Sequence, residues 1–161
     1  VNNPLDSEVE MLLPAVRKAI EYGGALGYHA YWPANRNECY LEDRWDSYAG
    51  RWQVWDRVFS RHGLYPLYIL GEVGAVGTPG RQPDGYVPLL PMDGWKSDQC
   101  LGGDWFRFLD QIRRFQVRLR QWNRENFGRC LGATLFTTGP DYTGWHSYQI
   151  RKPEMEDLSR L

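Results

Sequence analysis

The sequence predicts an α/β fold in which parallel strands alternate with helical crossovers. Segments with apolar residues at helical spacing alternate along the chain with short apolar runs that are bounded by Gly or Pro. The length of 161 residues fits a single domain, taken as residues 1–161. A complete (β/α)8 barrel has about 250 residues, and three strands are too few to close one. The chain is therefore predicted to be a small open sheet or part of a TIM barrel.

The amino-terminal part predicts one helix and one strand. Ser7 and Glu10 have the spacing of a capping box, and an apolar face follows at helical spacing. Pro14 interrupts this face, so we expect either a kink or a helix that begins at Pro14. After Gly23, the apolar run over residues 25–31 predicts a buried strand.

The middle of the chain predicts a long helix, a strand and a long loop. Apolar residues recur at steps of three and four over residues 41–59, which favours one amphipathic helix. Residues 66–71 form a second apolar run and place Glu72 at its carboxyl end. Residues 73–103 are rich in Gly and Pro, and loops of this length are typically lids or binding loops.

The carboxyl-terminal part predicts two more helices around a third strand. Asp104 is positioned to cap a helix that extends to Trp122. Residues 130–137 predict the third strand, and residues 153–161 predict a short final helix. Helical spacing assigns five tryptophans to the core: Trp45, Trp52, Trp55, Trp105 and Trp122.

Composition excludes several classes of function. The formal net charge of −1 argues against a nucleic-acid partner, because such binders carry a basic surplus. No apolar run approaches the roughly 18–20 residues of a membrane helix, so no membrane partner is expected. Three cysteines without a CxxC pair do not predict a disulfide framework or a zinc site. Aromatic residues make up 15%, and Trp and Tyr offer the flat apolar face and polar tip that suit sugars.

The candidate site residues follow from the ends of the predicted strands. In parallel α/β folds, the functional site lies at the carboxyl ends of the strands. The polar and aromatic residues at those ends are His29, Tyr31, Trp32, Glu72, Trp145 and His146. His29 and Tyr31 share one face, because residues two apart in a strand point to the same side.

This ordered set resembles the carboxyl-terminal half, strands five to eight, of the clan A glycoside hydrolases. In that clan the sixth strand often ends in His-x-Tyr, which matches His29-Ala30-Tyr31. The seventh ends at the nucleophilic glutamate, which matches Glu72 in Leu70-Gly71-Glu72-Val73-Gly74, and the eighth carries an aromatic platform, which matches Trp145. The resemblance covers roughly residues 1–150 and implies half of a TIM barrel, with residues 1–4 at the end of the fifth strand.

The resemblance implies a retaining mechanism with Glu72 as the nucleophile. His29 and Tyr31 would hydrogen-bond this carboxylate or the sugar hydroxyls, Trp145 would stack beneath the sugar, and Trp32 would be a second platform. No cofactor and no metal are implied. The chain departs from the clan at Gly71, where Thr or Ser is usual. The acid/base glutamate, which follows Asn after the fourth strand, has no counterpart here, so the chain alone is predicted to be inactive.

Two other classes of function compete with the glycosidase half, whose partner would be a carbohydrate. The first is a non-catalytic carbohydrate-binding or interaction module derived from such a barrel. The second is an unrelated small α/β domain, although no Gly-rich phosphate loop follows a predicted strand. A half-barrel also leaves strand edges open, which predicts self-association through those edges.

Overall fold

The computed structural model describes residues 6–35, 37, 39, 41–77, 94–98, 100–136 and 148–160. It confirms the α/β class. The elements, in chain order, are α1 (Asp6–Glu10), α2 (Leu13–Glu21), β1 (Ala25–Ala34), α3 (Arg51–Arg61), β2 (Leu67–Gly77), α4 (Trp105–Glu125), β3 (Cys130–Leu135) and α5 (Lys152–Leu158).

The three strands form one parallel sheet in the order β1-β2-β3. Helix α3 connects β1 to β2, and α4 connects β2 to β3, which are the helical crossovers that the alternating pattern predicts. Both helices contact the sheet, and the buried aromatic side chains lie between the helices and the strands. The opposite face of the sheet carries the more exposed side chains of β1 and β2, including His29 and Ile69.

The first predicted helix consists of two short helices. Helix α1 ends at Glu10, and α2 begins at Leu13 with Pro14 in its first turn. A proline in the first turn does not interrupt the helix, because the N–H groups there have no intrahelical acceptor. The second of the two expected outcomes, a helix that effectively begins at Pro14, therefore describes α2.

The prediction of one continuous helix over residues 41–59 is wrong. A 3₁₀ turn at Trp45–Ser47 precedes α3, and α3 begins only at Arg51. The Trp45 ring lies against the backbone at Gly50, where an added Cβ would lie 1.9 Å from the indole nitrogen. That nitrogen donates a hydrogen bond to Gln53 Oε1 at 2.9 Å. The apolar residues at helical spacing thus belong to two elements, the turn at Trp45–Ser47 and helix α3, and the turn packs against the start of the helix.

Helix α4 begins where the sequence predicts. The Asp104 side chain accepts a hydrogen bond from the Arg107 N–H at 3.0 Å and caps the first turn. The buried apolar residues of α4 lie at helical spacing, among them Phe108, Ile112 and Phe115, and Gln111 is buried with them.

The strand boundaries differ from the predicted ones in a way that matters for the site. Strand β2 extends to Gly77, so Glu72 lies within the strand and not at its end. Strand β1 likewise continues through Trp32 to Ala34. The start of the predicted 73–103 loop is therefore sheet. Val76 also forms an antiparallel bridge with Gly94.

Candidate functional site

The site is organised by a β-bulge in the central strand. Tyr28 is paired with Leu70, but the next residue of β1, His29, is paired with Glu72. Gly71 is therefore an extra residue in β2. The pairing with β3 skips at the same place, since Ala133 is opposite Leu70 and Leu135 is opposite Val73.

The bulge decides which face of the sheet carries Glu72. Leu70, two positions earlier, is fully buried on the helix side, so regular alternation would point Glu72 to that side as well. The extra residue reverses the alternation, and Val73 and Ala75 then occupy the buried positions. Glu72 consequently lies on the face opposite the helices, beside His29. Re-aiming a side chain in this way is a common role of bulges near functional sites.

The third strand supports the bulge. The Thr134 hydroxyl donates a hydrogen bond to the Gly71 carbonyl, which gives the oxygen of the extra residue a partner. The Phe136 N–H donates to the Val73 carbonyl at 3.1 Å and continues the pairing beyond β3. Satisfied backbone groups on both sides of the bulge are what keeps an irregular strand ordered.

Two side chains of β1 face the Glu72 carboxylate. The Tyr31 hydroxyl donates to Oε2 at 2.5 Å, and His29 Nδ1 lies 3.2 Å from the same oxygen. The side chain of Glu72 is 33% exposed and that of His29 is 60% exposed, so a small polar ligand has access to both. Both of these contacts involve Oε2.

The environment of Tyr31 keeps its hydroxyl protonated. Burial raises the pKa of Tyr31, and the hydrogen bond to Glu72 and the negative charge of that carboxylate raise it further. Tyr31 is therefore a hydrogen-bond donor to Glu72 over the whole physiological pH range.

The other predicted site residues have different positions. Trp32 is fully buried on the helix side, where its ring stacks on Phe115 at 5.6 Å and its nitrogen donates to Gln111 Oε1 at 2.7 Å. Its ring therefore packs the core and does not line the face that carries Glu72. Trp145 and His146 lie outside the described residues, as do residues 1–4 and most of the predicted 73–103 loop.

No known family or structure identifies the site. Protein-family models, curated proteins and solved structures give no match to this chain. Within the described ranges, no group of three or more His, Cys, Asp or Glu residues is arranged to hold a metal ion. No helix of that same part of the chain is long and apolar enough to cross a membrane.

Sequence reasoning did not identify the bulge or its supports. An isolated glycine within an apolar strand pattern is a recognised signal for a bulge, and Gly71 provided it. Thr134 has no comparable signal, because its contact depends on pairing between segments that are distant in sequence.

Proposed function

We propose that the chain is a unit of a retaining glycoside hydrolase-like half-barrel in which Glu72 is the nucleophile. One observation carries the proposal. The bulge puts the Glu72 carboxylate on the sheet face away from the helices, where the Tyr31 hydroxyl and His29 meet it at 2.5 Å and 3.2 Å. In a β/α barrel this face would be the inner one. Glu72 is also the only acidic residue in the three described strands.

The proposed chemistry uses the two carboxylate oxygens differently. Oε2 is held by Tyr31 and faces His29, and in this proposal Oε1 is the oxygen that attacks the anomeric carbon. The new bond joins Oε1 to that carbon, and the glycosidic C–O bond breaks. The leaving oxygen takes its proton from an acid supplied by the rest of the barrel. The conjugate base of that acid then takes a proton from water, and the resulting hydroxide oxygen bonds to the anomeric carbon as the bond to Oε1 breaks. The sugar leaves with a new hydroxyl, Glu72 is again a free carboxylate, and the acid is reprotonated.

The remaining predicted residues have supporting roles in this proposal. His29 and Tyr31 orient Glu72 and meet sugar hydroxyls, and Trp145 stacks beneath the sugar. Trp32 has no contact with the sugar in this proposal. Its ring packs against Phe115 of α4 on the helix side of the sheet.

A non-catalytic carbohydrate-binding module is the second candidate. A retaining reaction needs two carboxyl groups about 5–5.5 Å apart, and the described strands supply one. Binding through His29, Tyr31 and Trp145 requires no second acid.

Covalent trapping tests the catalytic proposal. The chain, alone and joined to a companion half-barrel that supplies the acid, is incubated with a panel of 2-fluoro sugars and then mapped by peptide mass spectrometry. We expect a label on Glu72 in the completed protein. Glu72→Gln should abolish the label, because the amide keeps the shape but removes the attacking charge. Glu42→Gln, which alters an exposed carboxylate paired with Arg114, is the matched control and should label normally.

Two results would overturn the catalytic proposal. One is a label on another carboxylate, and the other is full activity of Glu72→Gln. If the sugars bind without forming a covalent adduct, the binding module becomes the better assignment. Under either function, Trp145→Ala should weaken sugar binding, because the stacking contact is lost.

The half-barrel proposal also predicts self-association through the sheet edges. Strands β1 and β3 are the outer strands of the described sheet, and exposed edges tend to pair with another chain. Sedimentation should show concentration-dependent association. Leu131→Lys, on β3 at 59% exposure, should reduce it, whereas Val117→Lys, on α4 at 62% exposure, should not. A sharp monomer with cooperative unfolding would count against the half-barrel.

A further inference from the structure

Three aromatic rings meet beside Glu72. The Tyr31 ring makes edge contacts with Phe136 and Tyr148, with centroids 6.2 Å and 6.4 Å apart. Phe136 and Tyr148 contact each other at 5.2 Å. Edge-to-face pairs at these separations are attractive beyond the area that they bury. The Tyr31 ring is therefore held on two sides by rings that also hold each other.

Both partner rings are anchored to the sheet or to the core. Phe136 is fixed through its backbone N–H, which donates to the Val73 carbonyl at 3.1 Å. Tyr148 is 4% exposed, and its carbonyl accepts a hydrogen bond from the Trp95 nitrogen at 3.2 Å. Trp95 in turn stacks on Phe108 at 5.1 Å with the planes 10° apart. The backbones of Phe136 and Tyr148 are therefore fixed by the strand and by the core.

The Tyr31 ring packs against the backbone of Gly74. It is paired with Tyr31 across the two strands, and an added Cβ would lie 3.8 Å from Tyr31 Cε1 and 3.7 Å from the Phe136 carbonyl oxygen. The Tyr31 ring thus lies over bare backbone, with its hydroxyl toward Glu72 and its edges against two rings.

We propose that Phe136 and Tyr148 are positioning residues that hold the Tyr31 hydroxyl on Glu72 Oε2. A tyrosine without such neighbours samples several rotamers, and fixing one of them costs conformational entropy at each hydrogen-bonding event. The cluster fixes that rotamer in advance. A donor held on Oε2 directs the attack to Oε1, and this consequence rests on the proposed function of Glu72. The hydrogen bond itself is measurable without activity.

Two titratable groups of the described part of the chain lie close to this hydrogen bond. His29 faces the same carboxylate oxygen at 3.2 Å, and the Tyr148 phenol also raises the pKa of Tyr31, after burial and Glu72. A change in the Tyr31 environment should therefore be visible as a change in its ionisation.

Variants at position 148 separate the ring from the hydroxyl. Tyr148→Leu removes the ring edge, whereas Tyr148→Phe keeps it and is the matched control.

Two measurements report on the hydrogen bond. They are the proton resonance of the Tyr31 hydroxyl and the titration of tyrosine labelled with ¹³C at Cζ, both assigned by comparison with Tyr31→Phe. We expect the hydroxyl resonance in the wild type and in Tyr148→Phe and its loss in Tyr148→Leu, where Tyr31 should ionise closer to the ordinary tyrosine range. Phe136→Leu should act in the same direction and serves if Tyr148→Leu is unstable.

Trapping kinetics on the completed protein give a second, independent readout. Tyr31→Phe should slow labelling of Glu72 about tenfold, as expected for a hydrogen bond to a charged group. Tyr148→Leu should slow it less, and the double variant should be no slower than Tyr31→Phe, because position 148 acts only through Tyr31.

The outcomes distinguish this proposal from the proposed function. A hydroxyl resonance that persists in both Tyr148→Leu and Phe136→Leu would overturn the positioning role, as would equal losses in Tyr148→Leu and Tyr148→Phe. If the resonance follows the ring as expected but no sugar is trapped on Glu72, the positioning role stands and the catalytic role fails.

Discussion

Arg129→Met is expected to lower the free energy of unfolding by about 3–5 kcal/mol, because it leaves the Asp56 carboxylate buried without an opposite charge. The guanidinium of Arg129 makes two parallel hydrogen bonds to Asp56, at 2.5 Å and 2.7 Å. The two side chains are only 10% and 4% exposed. The methionine approximates the volume of the side chain but supplies neither the charge nor the donors.

The Arg129–Asp56 pair contributes strongly to the free energy of unfolding because it joins three elements of the fold. Asp56 lies on α3, Arg129 directly precedes β3, and the Tyr68 hydroxyl of β2 donates to Asp56 at 2.9 Å. Burial lowers the pKa of Arg129, but the hydrogen bonds and the charge of Asp56 outweigh that effect, so the net pKa is raised. The guanidinium also lies 5.1 Å from the centre of the Trp122 ring, where a cation–π attraction adds to the pair.

Urea unfolding followed by tryptophan fluorescence measures the loss. Arg114→Met is the matched control, since Arg114 pairs with Asp110 at the surface with both side chains about half exposed. Its effect should stay within about 0.5 kcal/mol. Asp56→Asn combined with Arg129→Met should be less harmful than the sum of the single variants, because no unpaired charge then remains. A loss below about 1 kcal/mol in Arg129→Met would contradict the structural role of the pair.

The strands and crossovers could be predicted from the sequence because their signals are local. Apolar runs such as residues 66–71 are short and bounded by turn residues, and α4 has both a cap at Asp104 and a complete apolar stripe. Each of these signals depends on neighbouring residues only. The order of the elements then follows from the alternation of helix and strand.

The spacing of apolar residues could not show that residues 41–50 lie outside the helix, because a side-chain contact sets that boundary. Leu41, Trp45, Tyr48 and Trp52 keep helical spacing, but Trp45 folds over Gly50 and satisfies its nitrogen on Gln53. Only the three-dimensional contact explains why α3 begins at Arg51.

The placement of Trp32 could have been predicted from alternation alone. If His29 and Tyr31 share one face of β1, Trp32 belongs to the other face, and β1 continues through it. Glu72 presents the converse case. Alternation from Leu70 would bury it, and only the skip in pairing at Gly71 brings it to His29. The contact of Glu72 with Tyr31 thus depends on an irregularity that hydrophobic patterning does not encode.

Deletion of Gly71 is expected to leave the fold intact and to impair the site. Without this residue, Leu70, Glu72 and Val73 would follow one another opposite Tyr28, His29 and Ala30 of β1. The same deletion removes the skip relative to β3, where one residue separates the partners of Leu70 and Val73. Every buried residue of β2 keeps its face, so the free energy of unfolding should change by no more than about 1 kcal/mol.

Deletion of Gly74 is the matched control, because it removes the same residue type from the same strand, three positions on. Here the pairing is regular, with Tyr31 opposite Gly74 and Trp32 opposite Ala75. Removing Gly74 shifts every later residue to the opposite face and takes Ala75 out of the core. We expect a loss of about 3 kcal/mol or more, or an unfolded chain, in the same urea titration.

The two deletions should differ in what they impair: deletion of Gly71 should alter the site of a folded protein, whereas deletion of Gly74 should impair folding itself. The deletion keeps Glu72 opposite His29, but it removes the local twist of the bulge and the Gly71 carbonyl that Thr134 contacts, so the carboxylate should be displaced. A displacement of about 1 Å at a reacting group can lower a rate about a hundredfold. Deletion of Gly71 should therefore give a stable protein in which trapping at Glu72 is about a hundredfold slower and the Tyr31 hydroxyl resonance is shifted. If that deletion unfolds the chain, the pairing described for β2 is incorrect. If the protein is stable and traps sugar at the normal rate, the bulge has no part in aiming Glu72.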